Sequence, residues 1–172
     1  VMPGFVDSHT HLIFAGSRED ELNLKLKGYS YLDILKRGGG ILRTVRETRK
    51  ARKSQLIMEA KRRLDYMLSN GTTTAEAKSG YGLDYENEKK ILEVINEIEH
   101  PVELVPTFLG AHAIPPEYKS GEFIEYMKEV IPKIKDLANF IDIFCENGVF
   151  SAEESREYLE EGKRYGLVPK IH

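Results

Sequence analysis

Strand-forming and helix-forming segments alternate along this 172-residue chain, and that alternation restricts the fold more than any other feature. Phe5 and Val6, in the run from Pro3 to Asp7 that leads into His9 and His11, supply a first strand, short and expected to be buried. Residues 30 to 38 and 41 to 50 read as short helices separated by Gly38, Gly39 and Gly40, because consecutive glycines have no helical preference. Ser54 is placed to cap a longer helix in which Ile57, Ala60, Leu64, Met67 and Leu68 share a face, and Gly71 falls where a left-handed C-terminal residue belongs. Thr72 to Ala77 is a second strand. Asp84 can cap the next helix, with Ile91, Val94, Ile95 and Ile98 on one side and Pro101 at its end, and Val102 to Leu109 is a third strand. Phe123, Tyr126, Met127, Val130, Ile131 and Ile134 make an amphipathic stretch in which Pro132 predicts a kink or a break. Phe140 to Cys145 is a fourth strand. Ser151 and Glu154 form a capping-box pair for a helix through Tyr165 that Gly166 stops, and Val168 to His172 opens a fifth strand.

Such alternation implies an α/β fold with a parallel sheet covered by crossover helices. A doubly wound sheet would carry a glycine-rich phosphate turn after the first strand, and Gly4 to Gly16 contains no such pattern. The expectation is therefore a (β/α)8 barrel. A whole barrel takes about 250 residues, so residues 1–172 are expected to be a fragment covering strands 1 to 5, a reading that strand-like residues at both ends support.

Composition narrows the class further. With 25 Lys and Arg against 28 Asp and Glu there is no basic stripe for a nucleic-acid backbone. No run approaches the roughly 18 apolar residues of a membrane span. The single cysteine, Cys145, cannot close an internal disulfide. A cytoplasmic protein with no nucleic-acid or membrane partner is expected.

In parallel α/β folds function concentrates at the carboxyl ends of the strands. His9 and His11 follow the first strand one residue apart, so both point to the same side. His172 ends the fifth strand, across the lumen of a barrel from the first, where it can offer a third imidazole nitrogen to the same ion; three ligands with one open position is a catalytic pattern. The alternative is a set of buried histidines bonded to backbone carbonyls. Tyr81 and His112, just past the second and third strands, and Arg18, seven residues beyond His11, would place a phenol, an imidazole and a cation on one rim, which suits a small anionic substrate, the alternatives being a turn tyrosine, a loop histidine and a solvated arginine. Cys145 reads as a buried thiol and His100 as a helix-end histidine favoured by the dipole. Glu76 and Lys78, on one face of the second strand by parity, must be paired or catalytic, with structural pairing preferred.

Pro3-Gly4-Phe5-Val6-Asp7-Ser8-His9-Thr10-His11 resembles the first-strand signature of the amidohydrolase superfamily, metal-dependent hydrolases on a (β/α)8 barrel. The segments HLIFAGSRE from His11, GGGI from Gly38, GTTTAEAKSGYGL from Gly71, TFLGAHAIPPEY from Thr107 and DIFCENGVFS from Asp142 are similar to the branch that opens an imidazolone ring in histidine degradation. That resemblance implies hydrolysis of 4-imidazolone-5-propanoate to N-formimidoyl-L-glutamate with one zinc or iron ion. It implies metal ligation by His9, His11 and His172, substrate contacts from Arg18, Tyr31, Tyr81 and His112, and a homodimeric whole protein. The family also has a carboxylate after the third metal histidine, a histidine on the sixth strand, a metal-binding aspartate on the eighth and a small β-rich domain. The sequence stops before those groups, so the fragment itself is expected to be inactive, to bind metal weakly and to self-associate. A deaminase acting on another heterocycle, or a non-catalytic metal-binding module, are the competing readings.

Overall fold

The computed structural model describes residues 1–30, 33–34 and 37–172. Among them five strands run in the order β1 (Phe5–Thr10), β2 (Thr72–Lys78), β3 (Glu103–Ala111), β4 (Phe140–Ile143) and β5 (Val168–Pro169). Every neighbouring pair is parallel and the spatial order is the sequence order, β1-β2-β3-β4-β5. A doubly wound sheet must reverse its strand order at a switch point. This one does not, so the doubly wound alternative fails on topology.

The helices are α1 (Glu19–Leu26), α2 (Ile41–Lys50), α3 (Lys53–Ser69), α4 (Tyr85–Glu97), α5 (Ser120–Ile134) and α6 (Ala152–Arg164). Leu56, Ala60 and Leu64 of α3, Ile91, Leu92, Val94 and Ile95 of α4, and Phe123, Met127, Val130 and Ile131 of α5 are buried against the sheet. Ala75, Ala77, Phe108, Ile141 and Ile143 complete that core from the strands. The alternate residues of those strands, Glu76, Lys78, Thr107 and Asp142, face the other way and are also buried. The sheet therefore has an apolar face under the helices and a charged one opposite.

Several local expectations hold. The Asp84 carboxylate accepts the Asn87 N–H at 2.8 Å, and Ser151 and Glu154 make both halves of a capping box. Gly71 has φ +93°. Gly162 faces β4 so closely that a Cβ there would lie 2.7 Å from the Ile141 side chain, which is why a helix tolerates glycine at that point.

Others need correction. Strand β1 is not buried: Phe5 and Val6 are 58% and 69% exposed, because β1 has a neighbour on one side only. Ser54 lies inside α3, whose N-cap is Arg52 with no side-chain cap, and Leu56 rather than Ile57 is the buried residue of its first turns. Helix α5 continues through Pro132 to Ile134 before tightening into a 3-10 turn over Lys135–Leu137. Cys145 is only half-buried. His100 lies beyond the end of α4 and is held by neighbours instead, accepting the Val102 N–H at 3.0 Å and meeting Asp65 at 3.2 Å. Helix α1 was not apparent from periodicity because it buries only Glu21, although Glu19, Asp20 and Glu21 give its first turn the acidic character that suits a helix N-terminus.

Candidate metal centre

The carboxyl ends of the strands carry a compact group of rings. His9 and His11 are 5.4 Å apart between centroids, His9 and His172 4.9 Å, and His11 and His172 5.9 Å. Each of the three offers a nitrogen, and the three nitrogens lie within 4.8 Å of one another. Since Nδ1 of His11 is buried with no hydrogen-bond partner among the described residues, the structure spends none of the bonding capacity of that atom. Orphaned buried nitrogens are costly, and a cation is one partner that would satisfy such a set.

Charge state favours the same fit. Burial pushes the His11 imidazolium pKa down to about 3, helped by His112, His9 and His172. That of His9 is also lowered, by burial first and then by Lys78 and His172. These rings are neutral at neutral pH, the form that binds zinc or iron.

The backbone fixes His172 from both sides. Its N–H donates to the Ile143 carbonyl at 3.2 Å and its carbonyl accepts the Cys145 N–H at 2.9 Å, extending the β4–β5 pairing past Pro169. On the β1 side, Arg63 from α3 donates to the carbonyls of Leu12 and Phe14 at 3.0 Å each and stacks 3.6 Å over the Phe14 ring, holding the segment that follows His11.

Beside the histidines lie the other rim residues. His112 stacks on His11 at 4.7 Å, and Tyr81 is 5.4 Å from His112 and 5.6 Å from His11. His112 Nδ1 is 2.9 Å from the Gly80 carbonyl, which can only accept, so the hydrogen is on Nδ1. Burial lowers the His112 imidazolium pKa to about 4, leaving Nε2 as a bare acceptor at neutral pH. The Tyr81 phenol is raised by burial, with the Arg18 charge working against it, and so keeps its proton. Arg18 lies 3.8 Å from Glu21 and its side chain is 38% exposed. Tyr31 is outside the described residues.

Two acidic groups that the sequence reading passed over turn out to organise the site. Glu88 is fully buried and accepts the N–H groups of Gly80 at 3.0 Å, Gly82 at 2.7 Å and Leu83 at 2.8 Å. It clamps the turn that carries Tyr81, in which Gly80 has φ +105°. Its place three residues before Ile91, on the apolar face of α4, was the available signal. Asp142 is a charge inside an apolar strand, the same signal that marked Glu76 and Lys78. Lys78 meets Asp142 at 2.5 Å and Glu76 at 2.9 Å, and Glu76 also takes Lys170 at 2.6 Å and Thr107 at 2.6 Å.

Fold and site together define a parallel α/β protein with a candidate three-histidine metal centre at the carboxyl ends of its strands. No family model matches the chain. It is 59% identical to the imidazolonepropionase of Bacillus cytotoxicus and 57% identical to those of Bacillus thuringiensis and Bacillus anthracis, in each case over all of this chain and 42% of the relative. The chain is thus similar along its entire length to imidazolonepropionases and spans less than half of theirs.

Proposed function

We propose that the chain is the metal-binding part of an amidohydrolase-type (β/α)8 barrel that adds water across the cyclic amide of 4-imidazolone-5-propanoate, giving N-formimidoyl-L-glutamate in histidine degradation. The convergence of His9, His11 and His172 from the two edges of one curled sheet carries this reading. Three imidazoles leave a coordination position open, so His9, His11 and His172 would hold one zinc or iron ion. When bound, such an ion acidifies a water toward neutrality and polarises a carbonyl.

The remaining residues bind and orient. Arg18 pairs with the propionate, where a guanidinium fork offers two parallel hydrogen bonds that an ammonium cannot. Tyr81 presents a protonated hydroxyl as donor and His112 presents Nε2 as acceptor, a pair suited to the carbonyl and N–H edges of an imidazolone. Tyr31 is a further substrate contact in this reading. The substrate is a small anionic heterocycle, and no helix among the described residues is long and apolar enough to cross a membrane.

The test is an assay of a polypeptide that contains this chain together with the remaining length of its relatives. Hydrolysis of the imidazolone propionate is expected, with Arg18→Lys chiefly raising KM and with little turnover of the analogue lacking the carboxylate. Equal turnover of that analogue would favour a deaminase-like preference for the ring alone, and no turnover by the unaltered protein would refute the reading.

A further inference from the structure

Asp142 touches His172 but takes no part in the chemistry above. Its side chain is buried, with 1% of its surface exposed, and every oxygen has a donor. Oδ1 accepts the Ile143 N–H at 2.8 Å. Oδ2 lies 2.5 Å from Lys78 Nζ and 3.0 Å from His172 Nδ1. A buried carboxyl that meets an ammonium at 2.5 Å through one oxygen and accepts a backbone N–H through the other is placed as an ionised acceptor. An ionised carboxylate only accepts, so the atom of His172 that faces it must bring a hydrogen.

We infer that Asp142 is a positioning residue that fixes His172 in the tautomer with its hydrogen on Nδ1, leaving Nε2 bare and turned toward His9 and His11. A neutral imidazole carries one hydrogen, and whichever nitrogen donates it leaves the other as the free donor pair. The backbone of His172 is bonded through its N–H to Ile143 of β4 and through its carbonyl to Cys145 two residues beyond, so the ring has little freedom beyond rotation about its own bonds, and the Asp142 contact removes that. Lys78 keeps Asp142 itself from turning away, and Glu76 in turn anchors Lys78 and Lys170. A chain of charges from β2 through β4 thereby sets the direction of one nitrogen at the end of β5. Metal-binding histidines are held in this way by outer carboxylates, and loss of such a partner weakens metal affinity about 10- to 100-fold.

The inference rests on the metal-centre reading only in saying which nitrogen would meet the ion; the tautomer exists without it. Long-range proton–nitrogen NMR correlation on metal-free, ¹⁵N-histidine-labelled protein at neutral pH reads it directly, with His172 assigned by its loss in His172→Gln. The expected spectrum shows a protonated Nδ1 and a bare Nε2. In Asp142→Asn, which is isosteric but can turn its amide nitrogen toward the ring, the Nε2–H form should appear and cobalt(II) affinity should fall about 10- to 100-fold. A hydrogen on Nε2 in the unaltered protein, alone or beside one on Nδ1, overturns the inference whether or not the variant folds. So does an Asp142→Asn variant with an unchanged tautomer. If the unaltered protein binds no cobalt yet shows the Nδ1–H form, positioning by Asp142 stands and the metal centre falls.

Discussion

His9, on the first strand, and His172, just past the fifth, meet edge to face with ring centroids 4.9 Å apart and planes at 89°. Their strands lie at opposite edges of the sheet. Adjacent strands are about 4.8 Å apart, so four intervals in a flat sheet would separate these residues by about 19 Å. The sheet has therefore curled until its edges face each other across a concave interior. That interior is charged, and the charges are what tie its far edge in place.

Lys78 is the cation between two carboxylates on this face, and it is 2% exposed. Replacing it with Met leaves Glu76 and Asp142 buried and under-compensated. Breaking a buried pair by removing one partner costs about 3–5 kcal/mol. Urea unfolding of Lys78→Met should show a loss of that size, and a change below about 1 kcal/mol would mean that water already reaches the two carboxylates.

Glu88 is the only side chain among the described residues that receives the N–H groups of the Tyr81 turn. Glu88→Ala strands three backbone donors in the interior, each costing about 1–3 kcal/mol. A loss of at least about 3 kcal/mol is expected, together with faster amide exchange at Gly80, Gly82 and Leu83. Unchanged exchange at those amides would show that the turn holds its shape without the carboxylate.

At the start of α6 the Glu154 carboxylate accepts both the Ser151 N–H at 2.8 Å and the Ser151 hydroxyl at 2.7 Å. The backbone bond from Ser151 is the main reason the Glu154 pKa lies below its ordinary value. A lowered carboxyl stabilises the fold above its unfolded pKa near 4.5, and the stabilisation disappears as pH falls through the folded value. Ser151→Ala keeps that backbone bond but removes the hydroxyl bond, which also lowers the Glu154 pKa, so it should cost about 1 kcal/mol at pH 7 and less at pH 3. Thermal unfolding at the two pH values checks this, and an equal or larger penalty in acid would contradict it.

Gly162 tests close packing against helix propensity. Alanine gains about 1 kcal/mol over glycine in a helix interior. Here its Cβ would sit 2.7 Å from Ile141, and overpacking a core costs about 1–3 kcal/mol. Gly162→Ala is expected to lower the melting temperature, whereas a stabilised variant would mean that β4 yields easily to α6.

Much of this architecture was legible in the sequence because periodicity and caps are local. Asp84, Ser151 with Glu154, and Gly71 mark helix ends by chemistry within a few residues. The burial of β1 was misjudged because exposure depends on what lies beside a strand, which no local pattern encodes. His9, His11 and His172 could be picked out by type and by strand parity, but their convergence depends on the curl of the sheet. Asp142 and Glu88 were passed over for a related reason. A lone acid in an apolar segment signals a buried partner without naming it, and the partners here are 30 residues away in His172, 64 residues away in Lys78, and backbone amides across a turn.

The most direct test of the shared centre is a cobalt(II) titration of the polypeptide that contains this chain together with the remaining length of its relatives, followed by its visible absorption and by elemental analysis after dialysis. One ion per chain is expected, with binding lost in His9→Ala, in His11→Ala and in His172→Ala. Binding that survives all three substitutions, or its absence in the unaltered protein, would contradict a common metal site for these imidazoles.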